Sequence, residues 1–163
     1  MNKTVINKSR LLEQIINQLE GSLKLTIDAA DQAHKTATHS ENIAENRHDT
    51  LGLEAAYLAQ GQSQRVAEGE AGIESFKALR DIKTGESIII GTLVTLTDEE
   101  GDRQFLFIGP ASGGLELVVD QTEIIVITAS APLGQALLGH IAGEEITFTA
   151  AGKTNIFEIT AID

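Results

Sequence analysis

Glu45, Asp49 and Glu54 are the residues of this chain whose types and spacing could do chemistry at one point. They lie in "ENRHDTLGLEAAYLAQ", Glu45 to Gln60, where charged side chains run into good helix formers. A cluster of acids at such a corner reads as an active tip. The same residues have a plainer reading. Asp is a favoured helix N-cap worth about 1 kcal/mol, and Asp49 or Thr50 begins a helix. Glu41, Glu45 and Glu54 also suit solvated helix faces, and Arg47 suits a surface charge. His34, His39 and His48 are spaced by five and nine residues, which does not give the i, i+4 face of helical zinc ligands. Phosphate-cradling glycine loops, Ser/His/Asp motifs and basic-aromatic patches are not evident.

Positioning that cluster falls to the elements on either side. Apolar residues recur at Leu12, Ile16, Leu19, Leu23, Ile27, Ala30, Ala33, Ala37 and Ala44, the stripe of one long helix. A second helix after Asp49 and Thr50 carries Leu51, Ala55, Leu58, Val66, Gly69, Ile73 and Phe76 on its inward side. Two long helices joined by a short polar corner bury their stripes by folding back as an antiparallel hairpin, a coiled coil. Phe76 and Ile73 are then expected near Leu19 and Leu23. A helix of about 30 residues is about 45 Å long, so the hairpin is expected to be a rod with "NRHDT" at its far end. Gly61, Gly69 and Gly72 each weaken a helix by up to about 1 kcal/mol, which predicts close backbone contact there.

After "RDIKTGES" the period changes to two. Strands are expected near Ile88 to Leu96, Gln104 to Ile108, Leu115 to Val119, Glu123 to Thr128, Glu145 to Thr149 and Asn155 to Ile162. "DEEGD" at Asp98 to Asp102 reads as a hairpin turn and "GPASGG" at Gly109 to Gly114 as a loop. Within "SAPLGQALLG", Pro132 suits the first position of a short helix and Gly139 its stop. One helix against an antiparallel sheet is an α+β domain. The division is therefore 1–80 for the hairpin and 81–163 for the sheet domain.

The totals narrow the function. Of 163 residues, 42% are hydrophobic, enough for a packed core, and the absence of Cys removes disulfides, thiolate nucleophiles and Cys-based zinc sites. No apolar run approaches the roughly 18 residues of a membrane span, and Met1 to Lys8 lacks the apolar stretch of a signal peptide. A soluble cytoplasmic protein is expected. Residues 81–163 hold 13 acidic against 3 basic side chains, while residues 1–80 hold 11 against 9. Such an acidic second half repels free nucleic acid and suits a basic protein surface; acidity that simply favours solubility is the alternative.

A helical hairpin followed by a sheet domain carrying "PLGQALLG" resembles the bacterial Gre transcript-cleavage factors, the GreA/GreB-like elongation factors. Pro132, Leu133, Ala136, Leu137, Leu138 and Gly139 look like that family's Ser-Pro-Ile-Ala-x-x-Leu-Ile-Gly segment. "IIIGTLVTLTDEEGD" is similar to the family's opening strand and turn, and "GEEITF" with "NIFEITAI" to its closing strands. The resemblance implies an FKBP-like C-terminal domain with one short helix, docking at the rim of the RNA polymerase secondary channel through Ser130, Ala131, Pro132, Leu133 and Gln135. It implies that the hairpin enters the channel and that Asp49, with Glu45 or Glu54, helps hold a second Mg²⁺ at the polymerase active centre. That metal would be held jointly with polymerase, and nascent RNA would be met indirectly. A second metal stabilises the attacking or leaving oxygen of the displacement. The chain would be an accessory factor and not itself an enzyme, and a monomer.

The family's tip reads Asp-x-x-Glu-Asn-Ala-Glu-Tyr. Aligned here on Asp49 the second acidic position is Gly52, and aligned on Tyr57 it is Leu53. Cleavage of backtracked RNA and mere occupation of the channel therefore both stay open. Ala131 stands where the family has Ser, and Gln135 where it is often basic. Arg47 could meet RNA phosphate or polymerase. A prolyl isomerase is the enzymatic alternative, but Phe105 and Phe107 alternate as core residues would, leaving a proline pocket short of aromatics. A coiled-coil adapter would need an exposed apolar stripe beyond the hairpin's own seam.

Overall fold

In the computed structural model of the chain, residues 5–43 and 50–163 are described. Helix α1 spans Lys8–Ile43 and α2 spans Thr50–Lys77, followed by a 3-10 turn at Ala78–Asp81. Six strands follow: β1 Leu93–Asp98, β2 Arg103–Gly109, β3 Glu116–Val119, β4 Thr122–Thr128, β5 Glu145–Ala150 and β6 Lys153–Ile162, with helix α3 at Pro132–Leu137 between β4 and β5. Packing divides the chain into a unit of residues 16–74 and a unit of residues 1–15 with 75–163. The change of sequence period at residue 80 thus falls inside the second unit, because the outer turns of both helices pack with the sheet.

Within the 16–74 unit the helices pair antiparallel. A Cβ at Gly69 would lie 3.0 Å from the Leu23 side chain, and Ile27, Ala30 and His34 face Ser63 and Val66 across a shared crevice. Residue numbers thus rise along α1 as they fall along α2. Gly69 is a place where Leu23 seats closely, as expected. Gly61 is not: nothing lies within 4 Å of the position its Cβ would take. Gly61→Ala is therefore expected to stabilise the hairpin by about 0.5–1 kcal/mol, because it restricts the unfolded chain and adds helix propensity with no clash. A denaturation midpoint at or below the parent's would contradict this. Leu58, placed inward by the apolar spacing, is 63% exposed, and Ala59 is buried instead. The buried seam runs one position later than the larger side chain suggested.

In the sheet-containing unit the strand order is β3-β4-β2-β1-β6-β5. The expected antiparallel sheet is mixed: β2 pairs with β4 in parallel, Phe105 beside Ile124 and Phe107 beside Val126. The reason lies in the connection. The chain leaves β2 and reaches the sheet edge as β3. It then turns at Asp120 and Gln121, whose φ values of 48° and 66° fit a two-residue type I′ hairpin. β4 returns between β3 and β2, already pointing the way β2 points. The first strand also starts later than its apolar run. Gly91, at φ 98°, turns the backbone, and the buried Thr92 Oγ1 accepts the Ile89 N–H at 3.0 Å. Ile88 to Ile90 therefore precede β1. "DEEGD" is the turn anticipated: the Asp98 carboxylate accepts the N–H groups of Glu100 and Asp102 at 3.0 and 2.8 Å.

Period-two alternation gives the sheet two buried faces. On one, Phe76 stacks on Phe107 with ring centroids 6.5 Å apart, and Leu11, Ile15 and Phe76 are wholly buried. Phe76 thus belongs to the sheet's core, correcting its expected place beside Leu19 and Leu23. The last turn of α2 packs with the sheet, so the ring meets Phe107 instead of the helix seam. Polar ties surround this layer: Arg10 to Asp120 at 2.7 Å, Arg80 to Glu13 at 2.8 Å, and Lys8 Nζ donating to Thr84 Oγ1 at 2.8 Å. Partial burial lowers the Lys8 pKa, with Asp163 opposing the shift. On the other face Val94, Leu96, Leu106, Ile108, Ile146 and Ile159 form a core closed by Leu137, with Leu133 and Leu138 partly buried against it.

Candidate partner-docking site

Asp49 and Glu45 lie outside the described residues, as does the Glu54 side chain, although Glu54 falls within α2. Their chemistry remains as the sequence states it. Among the described residues no group of three or more His, Asp or Glu is placed to hold a metal ion. No helix among them is long and apolar enough to cross a membrane.

The segment Ser130 to Gln135 is fully placed. Pro132 occupies the first turn of α3, where its missing N–H costs nothing. Ala131 is the N-cap, in extended conformation and with no side-chain cap hydrogen bond. Ser130 does not compensate, since its Oγ lies 3.2 Å from Thr128 Oγ1. The helix start is held by backbone alone: the Ala131 N–H donates to Thr128 O at 3.1 Å, and the Gln135 N–H to Ala131 O at 2.8 Å. Ser130, Pro132 and Gln135 are exposed, Ala131 is half-buried, and Leu133 turns toward the core. This arrangement presents a rigid, weakly polar ridge on a buried apolar base. It can offer shape and apolar surface to a partner, and it carries no nucleophile or charged group of its own.

One residue essential to this ridge was not singled out by motif or periodicity. A Cβ at Gly134 would sit 2.0 Å from the Thr128 carbonyl oxygen, so an alanine here, which the family segment carries at the aligned position, would force α3 to shift from the end of β4. The available signal was its cost, since Gly inside a helix loses about 1 kcal/mol relative to Ala unless close packing requires it. The other end is locked by Gly139, at φ 83°. Its N–H donates to Ile88 O at 2.9 Å, while the Ile88 N–H donates to His140 O at 2.8 Å.

Beyond that lock, Glu144 accepts the Ile141 N–H at 2.9 Å and lies 2.8 Å from His140 Nδ1. The Ile141 N–H first, then His140, hold the Glu144 carboxyl below its ordinary value. The folded chain therefore binds that proton less tightly than the unfolded chain. The stabilisation is present above the unfolded carboxylate value and is lost as pH falls through the folded one. Glu144→Gln should flatten this part of the acid limb of stability. An NMR titration placing the Glu144 midpoint at or above that of a free glutamate would contradict it.

Comparison with known proteins identifies the family. The family described as "Transcription elongation factor, GreA/GreB, C-term" matches residues 83–163, which include β1 to β6 and α3. The chain is 30% identical over 132 residues to transcription elongation factor GreA of Brucella canis, covering 75% of this chain and 79% of that protein. It is 29% identical over 133 residues to GreA of Allorhizobium ampelinum, covering 76% and 79%. Among solved structures, Thermus aquaticus Gfh1 is 25% identical with a TM-score of 0.39, covering 90% of this chain and 92% of that one. The class is thus that of the transcription elongation factors. This chain belongs to their GreA/GreB family.

Proposed function

We propose that this protein binds RNA polymerase and acts through the secondary channel, docking by the Ser130 to Gln135 ridge and introducing the 16–74 hairpin. The observation that supports this reading is the joining, in one chain, of the family's C-terminal segment with a pair of long antiparallel helices. The ridge supplies apolar contact from the exposed Pro132, seated on the inward-turned Leu133, and the acidic unit around it favours encounter with a basic surface. At the hairpin corner, Asp49 would contribute a carboxylate oxygen to a Mg²⁺ held jointly with polymerase, with Glu45 or Glu54 as the second acid. The protein would then be an accessory to polymerase-catalysed cleavage of backtracked RNA.

Retention on immobilised core polymerase is the first test, and no retention would reject the reading. A stalled, backtracked complex incubated with the protein and Mg²⁺ should then yield shortened transcripts. Asp49→Asn should abolish that gain while leaving retention unchanged. Gly52 and Leu53, standing where the family tip has its second acid, favour a specific alternative: a channel-occupying regulator that binds without cleaving. Retention with unchanged transcript lengths would establish it.

A further inference from the structure

The face of the sheet under α3 is not wholly covered. Ile127 and Ile108, side by side in register, pack in the core beneath the helix. Two residues earlier on β4, Ile125 is 40% exposed, and its neighbour across the diagonal, Val118 on β3, is 61% exposed. The register sets Glu116 opposite Ile125 and Glu123 opposite Val118. Two β-branched side chains therefore cross two carboxylates in a small checkerboard, bordering a groove of about 340 Å³. β3 is the last strand of the sheet, so the groove opens at an edge. Asp120 nearby is satisfied by Arg10. Neither Glu116 nor Glu123 has an ion-pair partner among the described residues.

We infer that this groove is a second docking surface, taking a basic amphipathic segment of RNA polymerase that places apolar residues on Val118 and Ile125 and cations beside Glu116 and Glu123. The inference rests on the polymerase-binding reading and extends it beyond the Ser130 to Gln135 ridge. Charge selects the occupant. Nucleic acid and anionic lipid would be repelled by the paired glutamates. A second copy of the chain, joined about a two-fold axis, would bring the same acids against each other. Continuity points the same way: groove and α3 share one face of the sheet, so a single partner surface can span both. Apolar contact there supplies affinity, while the carboxylates set register and encounter rate.

The test uses the full chain and core polymerase, comparing the parent with Val118→Ser/Ile125→Ser and with Glu116→Gln/Glu123→Gln. All four side chains are exposed, so the substitutions spare the core. Each double variant is expected to bind about tenfold more weakly, and the loss in the glutamine pair should shrink as salt screens the charges. Both pairs binding like the parent would overturn the inference while leaving polymerase binding intact. A parent that fails to bind would remove the polymerase reading itself, and this inference with it. Sedimentation showing a dimer that Val118→Ser/Ile125→Ser dissociates would assign the groove to a second copy and likewise overturn it.

Discussion

Gly134→Ala is expected to destabilise the sheet-containing unit by about 3 kcal/mol, the upper part of the range for overpacking, and to weaken any polymerase retention with it. The magnitude follows from what the new methyl meets. Its Cβ would lie 2.0 Å from the Thr128 carbonyl oxygen, with Thr128 C at 3.0 Å and Ala129 Cα at 3.3 Å. All three are backbone atoms, so no rotamer change relieves the contact, and α3 must lift from β4 or the strand end must move. Lifting α3 also withdraws Leu137, which is wholly buried. The same substitution at Gly61 is expected to stabilise, so the two variants form a paired control measured in one denaturant series. A Gly134→Ala protein with the parent's midpoint would show that α3 does not need this close approach.

Phe76→Ala should cost more, about 3–5 kcal/mol, the range for emptying a buried phenylalanine site. Phe76 is wholly buried and stacks on Phe107. Its ring also lies where a Cβ on Gly109 would come within 3.2 Å, so ring and glycine fit each other. Removing the ring leaves a void bounded by β2 and β4 that rigid strands cannot close. Phe76→Leu keeps most of the volume and should recover much of the loss. Equal stability of Phe76→Ala and the parent would contradict the burial of the ring against Phe107.

That pair of residues also shows what could be read without coordinates. Helical period placed Phe76 correctly on a buried face, but both a helix seam and a sheet would satisfy the same period. Period-two alternation likewise marked β2 and β4 as strands and placed Phe105 and Phe107 on one side. It could not say that β4 runs beside β2 in parallel, because the partner of a strand is chosen by non-local contacts. The start of β1 differs from its apolar run for a local reason: Ile88 to Ile90 and Leu93 to Val94 read as one strand, but Gly91 turns the chain between them.

By itself the sequence determined the two long helices, the Asp98 turn, and the start of α3 at Pro132 with its stop before Gly139. It also singled out Glu45, Asp49 and Glu54 as candidate acids and carried the resemblance that membership in the GreA/GreB family now supports. These depend on residue type and short-range spacing, which a sequence states directly. The tertiary structure alone decided the mixed strand order, the seat of Phe76, the close approach at Gly134, and the exposure of Val118 and Ile125 beside Glu116 and Glu123. Each of these is a distance between residues far apart in the chain, fixed by how whole elements pack and not by any one residue's preference.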